Sequence, residues 1–443
     1  MSVSRRDFVG RTALAGAALA LPRSVHGLAR PSWADTVRVA CIGVGGRGWD
    51  DMRAIAAQPG VQIVALCDVD SLNLERAATL FPQAARYSDF REMMAKSATF
   101  DAVVIATPDH THAVAAMAAL KAGKHVYCEK PLARTVSEVR ALKAEAARRP
   151  KQITQMGNQG HANEGIRLIR EWVEAGAIGT VQRVEFWTDR PIWPQAIRRP
   201  TEMHYVPSTF NWDLWLGPSA ERPYHPRYAH FNWRGWWDFG TGAMGDMACH
   251  IMDAAVWTLQ VKFPSKVTPE STPLFPETAP ASTRITFDFP VRGALPPVQF
   301  IWRDGTLSPP RPEGYPTDIR WPFDGSGQLW VGDKGMLVAG TYAEEPRLLD
   351  SATAAAFAAK PLVPKYPRTP GVHAEFVNAM KGVGTTGSAF HSYAGTLTEM
   401  IVLGNLAVRS GRTIELDPDT GILKTGGIPN EFIAPPYRAG WTL

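Results

Sequence analysis

The stretch Cys41-Ile42-Gly43-Val44-Gly45-Gly46-Arg47-Gly48 constrains this chain more than any other. An apolar run containing Val37, Val39 and Ile42 breaks into glycines and then enters a sequence suited to a helix from Trp49 to Ala57. The spacing Gly43-x-Gly45-x-x-Gly48 permits a tight turn, close approach of backbone N–H groups to a pyrophosphate, and close packing of helix on strand. Alone, the pattern also occurs in unrelated loops, so its context decides. A second apolar run, Val61 to Cys67, ends in Asp68, at the distance of about 20 residues where a dinucleotide fold places its ribose-binding carboxylate. Asp68 can accept from a ribose diol and repels a 2′-phosphate, and no Arg follows it directly, so NAD is expected rather than NADP.

The alternation continues. Helices are expected over Leu72 to Leu80, around Arg91 to Ala95, up to Ala122 and over Val136 to Arg149. Strands are expected at Ala102 to Ala106, His125 to Cys128 and Ile153 to Met156. Short apolar strands alternating with helices predict a doubly wound parallel sheet with ligands at the carboxyl ends of its strands. Beyond Gly157 one helix, Gly165 to Ala175, precedes an alternating strand, Val181 to Thr188, and an irregular region rich in Trp, Pro and Arg. Strands at Thr283 to Phe289, Val298 to Trp302, Leu329 to Val331 and Met336 to Val338 recur without helices between them, which predicts an open, largely antiparallel sheet. Pro264 to Pro280 and Pro309 to Pro322 read as loops, and two late helices, His373 to Lys381 and Tyr393 to Ser410, close the chain.

With 443 residues, 45% of them hydrophobic, the chain can bury a large core in two domains. A net charge of +5 without any basic run interleaved with aromatics makes nucleic acid a poor partner. Ser4-Arg5-Arg6-Asp7-Phe8 followed by the Ala- and Leu-rich stretch Thr12 to Leu21 resembles a twin-arginine export signal, too short for a stable membrane span. Residues 1–30 are therefore expected to be removed by the export machinery, leaving a dinucleotide domain over 35–157 and a substrate and oligomerisation domain over 158–443 in the periplasm. Cys41, Cys67 and Cys128 fall in expected strands and read as core residues rather than a disulfide framework.

The stretch from Gly240 to Asp253 is a glycine-rich turn entering an apolar helix, on which Asp246, His250, Asp253 and Trp257 recur at helical spacing. Polar groups on an apolar cylinder suit acid–base work in a cleft; a capping Asp246 with a hydrogen-bonded core His250 is the plain alternative. No further His or Cys cluster completes a metal site, so no metal is expected. Lys130 follows a strand end on the nucleotide side, where an ammonium could hold a substrate oxygen. Nine of the fifteen tryptophans lie between Trp172 and Trp257, and their faces suit a sugar ring, with Arg198, Arg199 and Arg234 at hand for polar contacts.

Taken with Thr107-Pro108, Glu129-Lys130-Pro131, Asp246-x-x-x-His250 and the late helix from Thr398-Glu399 to Gly411, the chain resembles the Gfo/Idh/MocA family. That resemblance implies an α/β fold: an N-terminal Rossmann doubly wound parallel sheet, and a C-terminal α/β domain whose open, largely antiparallel sheet makes homodimers or homotetramers. It implies a catalytic group of Lys130, Asp246 and His250, with His250 taking the hydroxyl proton and Asp246 orienting it. Cofactor contacts are expected from Gly43, Gly45, Gly46, Arg47 and Gly48 with Asp68, and on the other side from Thr107, Pro108, His112, Glu129 and Lys130. Substrate contacts are expected from Asn158, His161, Trp236 and Asp253. One departure stands out: Gly157-Asn158-Gln159-Gly160-His161 follows Met156 where many relatives carry an arginine-containing segment. The implied activity is oxidation of a secondary hydroxyl of a sugar, glycoside or polyol with tightly bound NAD. The rival keeps the site but hydrolyses a glycoside by transient oxidation, and a sugar sensor without turnover is a third reading, opposed by retention of Lys130, Asp246 and His250.

Overall fold

A computed structural model describes residues 36–322 and 325–443. The expected export signal, with Arg5 and Arg6, lies outside the described residues. β1 (Val37–Ile42) passes through the glycine turn into α1 (Gly46–Ala56), and the unit repeats as β2 (Val61–Cys67), α2 (Ser71–Leu80), β3 (Ala85–Tyr87), α3 (Phe90–Met94), β4 (Ala102–Ile105), α4 (Asp109–Lys121), β5 (His125–Cys128), α5 (Val136–Ala147) and β6 (Thr154–Met156). These strands pair in parallel in the order β3-β2-β1-β4-β5-β6. Strand order reverses on either side of β1, which opens a crevice at the carboxyl ends of β1 and β4. Every residue of β4, Ala-Val-Val-Ile, is buried, as a strand covered on both faces requires. α5 is started by a capping box between Thr135 and Glu138.

The chain continues through α6 (Glu164–Glu174), β7 (Val181–Thr188), α7 (Trp212–Leu216), α8 (Gly242–Ile251) and α9 (Asp253–Leu259). It then lays down β8 (Lys266–Ser271), β9 (Thr283–Phe289), β10 (Val298–Arg303), β11 (Ser326–Gly332), β12 (Met336–Ala339) and β13 (Arg347–Leu348). The last elements are α10 (Ser351–Ala359), α11 (Val372–Met380), α12 (Gly395–Ser410), β14 (Ile414–Glu415) and α13 (Asn430–Ile433). The second sheet, ordered β13-β12-β11-β7-β10-β9-β8-β14, is antiparallel except for the parallel β7–β10 pair. α12 packs on α5 along one side and on α8 and β8 along another, and α11 packs on α1. The four cysteines are buried free thiols in β1, β2, β5 and α8.

β8 corrects the expectation of a loop over Pro264 to Pro280. Its Pro269 pairs with Ile285 of β9, whereas β14 covers only Lys266 and Val267, so the missing N–H faces an open edge.

Residues 207–239 leave the second sheet and fold over the crevice. The segment has little regular structure, and an aromatic cluster of Phe210, Trp215, Tyr224, Tyr228, Trp236 and Phe239 holds it together. Each such ring, once buried, contributes roughly 1.5–3 kcal/mol, which substitutes for a regular hydrogen-bond ladder. Its anchors lie on both banks. At the end of β2, Asn211 N–H donates to the Val69 carbonyl and Ser71 N–H to the Thr209 carbonyl, each at 2.8 Å. His230 Nε2 lies 2.7 Å from Asp70 Oδ2. At the start of α4, the His110 ring meets the Trp215 carbonyl at 2.8 Å, and the main-chain N–H of His110 donates to the Phe239 carbonyl.

Candidate active site

The glycine turn is shaped by close approaches. Gly43 has φ +77°, and a Cβ there would lie 2.7 Å from the Ala106 carbonyl oxygen; a Cβ on Gly48 would lie 2.0 Å from the Gly43 carbonyl oxygen. Only glycine permits both, and the result is helix α1 starting directly beneath the end of β1 with no side chain capping its first N–H groups. A Cβ on Gly45 would lie 2.4 Å from the Asn73 amide, which a turn of the Asn73 side chain could relieve.

Asp68, at the end of β2, accepts from Val44 N–H at 2.9 Å and Gly45 N–H at 3.2 Å through Oδ2, and from Asp70 N–H at 2.9 Å through Oδ1. Burial raises its pKa, and these donors oppose that rise. The cradle and Asp68 border a cleft of about 430 Å³. Its β2–β3 side carries Asn73, Ser88 and Phe90; its β4–β5 side carries Thr107, Pro108, Asp109, Glu129 and Lys130; Phe210, Trp215, Phe231 and Trp233 roof it. A cradle that only glycine leaves open, an acid at the strand end beside it and a long cleft across the switch point fit a dinucleotide.

At the β5 end the charges gather. Lys130 Nζ donates to Asp246 Oδ1 at 3.0 Å and to the Asp246 carbonyl at 2.8 Å, while Arg234 Nε reaches the same Oδ1 at 3.1 Å. Burial would raise Asp246, but the Lys130 and Arg234 cations outweigh it and hold the carboxyl at about 2. Burial also pulls on Lys130, yet Asp246 and Glu129 raise its pKa and keep it an ammonium. His250, one turn along α8, is buried, its Nδ1 has no hydrogen-bond partner, and its ring meets Tyr342 edge-on at 4.8 Å. Burial and then the Lys130 charge drive its pKa well down, so the imidazole is neutral, and the same two effects make its protonated form costly. Asp246 does not orient His250 as expected; its Oδ1 is engaged by the two cations.

A second buried group sits under the glycine turn. Arg47 pairs with Asp51 at 2.8 Å and Glu129 at 3.3 Å, and Asp51 meets His373 at 2.9 Å. Burial lifts Glu129 to about 7 and Asp51 to about 6. Asp109, also buried, accepts from the Thr241 hydroxyl at 2.6 Å and is raised to about 7 by burial. Asp109 has no expected role in the sequence; an acid opening a helix at a strand end is the signal that marks it.

Several expected contacts lie elsewhere. His112 is buried behind the cleft wall, its two ring nitrogens 2.8 Å from the Pro131 and Thr107 carbonyls, so it braces two loops that do line the cleft. Trp236 is fully buried in the aromatic cluster, its indole N–H on the Arg227 carbonyl, and Trp233 lines the cleft in its place, with Arg234 4.3 Å over its ring. The stripe of Asp246, His250, Asp253 and Trp257 breaks at Met252, where α8 ends and α9 begins. Asp253 is thereby turned onto Asn158 at 3.0 Å, His161 at 2.9 Å and the Tyr393 hydroxyl, a buried knot apart from the cleft lining. Gly43, Gly45, Gly46, Arg47, Asp68, Thr107, Pro108, Glu129 and Lys130 do line the cleft, with Gly48 directly under the turn. Among the described residues, no cluster of three or more His, Cys, Asp or Glu could hold a metal ion, and no helix is long and apolar enough to cross a membrane.

Comparison with known proteins agrees with this geometry. Residues 37–157 match the Gfo/Idh/MocA oxidoreductase family, NAD-binding Rossmann fold, and residues 166–290 match the C-terminal α/β domain of the same family. An inositol 2-dehydrogenase of Saccharopolyspora erythraea is 40% identical over 148 residues, 33% of this chain and 43% of that protein. A glycosyl hydrolase family 109 protein of Shewanella is 32% identical over 166 residues, 35% of this chain and 36% of that protein. The chain thus spans less than half the length of these two relatives. In structure it is similar to the WlbA dehydrogenase of Bordetella pertussis, solved with NADH and UDP-GlcNAcA, at 19% identity and a TM-score of 0.58 over 86% of this chain and 99% of that one. A levoglucosan dehydrogenase solved with NADH and L-sorbose gives 19% identity and a TM-score of 0.55 over 86% and 99%.

Proposed function

Because the chain belongs to the Gfo/Idh/MocA oxidoreductase family, we propose that it oxidises a secondary hydroxyl of a sugar, glycoside or polyol, with NAD held in the cleft. Bound nicotinamide supplies the hydride acceptor. Lys130 has three N–H donors, of which Asp246 takes two; the third is free for the substrate oxygen and stabilises negative charge developing there. The neutral His250 accepts the hydroxyl proton. Asp246, kept ionised by Lys130 and Arg234, fixes the lysine and keeps it protonated. Trp233 and Phe231 offer apolar faces to a sugar ring near these groups.

The observation that carries this reading is the Lys130 ammonium, held by Asp246 in the cleft lining at the β5 end across the switch point from Asp68, with His250 one turn further along the helix that holds it. Incubation of the protein and NAD with a panel of sugars and glycosides, with mass spectrometry of the products, tests it. Loss of two hydrogens from one substrate supports oxidation; an unaltered panel sinks it.

The similarity to family 109 glycosyl hydrolases favours a second reading, in which the hydride returns and the net product is a hydrolysed glycoside. Aglycone release without net NADH formation separates the two. The reading also includes twin-arginine export to the periplasm, supported by Arg5-Arg6 ahead of a weakly apolar run. Fractionation of an Arg5→Lys, Arg6→Lys double variant tests it, since unchanged export removes the claim. A homodimer or homotetramer is supported by the family resemblance and checked by light scattering.

A further inference from the structure

The last seven residues of the chain return to the dinucleotide domain. Trp441 is buried and lines the cleft together with Asp68, Asn73, Ser88, Asp89 and Phe90. In a parallel sheet ordered 3-2-1-4-5-6 these residues mark the half that receives an adenosine, because they follow β2 and β3. The indole is fixed rather than merely near. The Arg91 guanidinium lies 4.3 Å over its ring, Phe90 is 5.9 Å away, and the Asp89 carboxylate pins Arg91 at 2.7 Å. The tail is tied down on either side of it. Arg438 donates to the Gly217 carbonyl at 2.6 Å and pairs with Asp213 of the aromatic segment, and Lys121 of α4 donates to the Leu443 carbonyl at 3.0 Å. The tail therefore joins the segment roofing the cleft to the domain beneath it, and its one aromatic side chain after Tyr437 is set in the cleft wall.

We infer that Trp441 is an adenylate-binding residue: its indole forms the wall of the adenine subsite. The inference rests on the NAD reading and extends it to a residue outside both matched family segments, residues 37–157 and 166–290. An indole held by a guanidinium loses little freedom on stacking, and every adenine presents a π-face to it.

The test uses full-length protein freed of resident nucleotide by exhaustive exchange, with AMP, ADP-ribose and nicotinamide mononucleotide as calorimetric probes. Trp441→Ala is expected to weaken AMP and ADP-ribose binding by about tenfold or more, the usual scale of base–aromatic stacking. Nicotinamide mononucleotide affinity should stay within about twofold, and Trp441→Phe should restore most of the AMP affinity. Equal loss for all three probes would show general loosening of the tail, and unchanged AMP affinity would show that the indole only packs; either overturns the inference alone. Parent protein that binds neither AMP nor NAD overturns it together with the NAD reading.

Discussion

Lys130 Nζ is bound by two acceptors of one residue, the carboxylate of Asp246 at 3.0 Å and its main-chain carbonyl at 2.8 Å. The ammonium is thus aimed by helix α8 itself, one turn before His250, so the two groups to which the proposed reaction assigns hydroxyl binding and proton acceptance are set by the same helix.

Lys130→Met and His250→Ala are each expected to lower turnover by about 10²–10⁴-fold, the usual weight of positioned acid–base groups. NAD affinity should hardly move, because the cradle and Asp68 lie across the switch point. Removing one partner of a buried ion pair is ordinarily costly, but Arg234 remains on Asp246 at 3.1 Å and keeps it compensated in the Lys130 variant. Initial rates beside NAD titrations make the check. Rates close to the parent in the histidine variant would return His250 to the role of a core residue.

Asp68→Ala should weaken NAD binding by roughly 1.5–3 kcal/mol and relax discrimination against NADP. In the structure the carboxylate fixes the amides of Val44 and Gly45 in the turn. Under the NAD reading its negative charge would also repel a 2′-phosphate. Equal NAD affinity in the two proteins, or unchanged rejection of NADP, argues against the assignment.

Asp109 gives a stability prediction with a definite sign. Burial lifts its folded pKa to about 7, against about 3.9 for an unfolded Asp. Between those values the folded state holds a proton that the unfolded chain has released, so this group's contribution is present below about pH 4 and is lost as pH rises towards 7, by up to about 1.4 kcal/mol per unit. Asp109→Asn removes the titration while Lys130, Arg234 and Asp246 around it stay the same. Its melting temperature relative to the parent should therefore be several degrees more favourable at pH 8 than at pH 5. A difference that does not change between the two pH values would place the Asp109 titration near that of an ordinary carboxyl.

The dinucleotide half was legible because its constraints are steric and local. Gly43 and Gly48 are forced by approaches under 3 Å, and Asp68 is forced by its place at the end of β2. The roof was not legible. Its anchors at Val69, Ser71 and Phe239 are main-chain groups that any sequence supplies, and its aromatic residues follow neither a period of 2 nor one of 3.6. Trp441 depends on Arg91, whose guanidinium also reaches the Gly440 carbonyl 349 positions along the chain, and nothing local signals such a contact. The stripe through Asp253 misled because apolar periodicity runs on through Met252 although the helix does not.

The roof bears on how the protein can turn over. A segment bonded to Val69 and Ser71 on one bank and to His110 on the other, with the C-terminal tail fastened to it, lies over the cleft. If the segment has to open for the proposed cofactor to leave, release would break these hydrogen bonds and disturb a buried aromatic cluster, and we predict that it is slow beside turnover. If the protein is exported folded, it also works where free NAD is scarce. A dehydrogenase that must release NADH each cycle would stall under both conditions; one that returns the hydride, to a second sugar or to the same glycoside after cleavage, would not. The expected result is protein that retains nicotinamide through desalting and turns over the right glycoside or sugar pair without added cofactor. Protein that emerges free of nucleotide and consumes added NAD stoichiometrically would show instead that the roof opens freely and that the cycle is a conventional dehydrogenation.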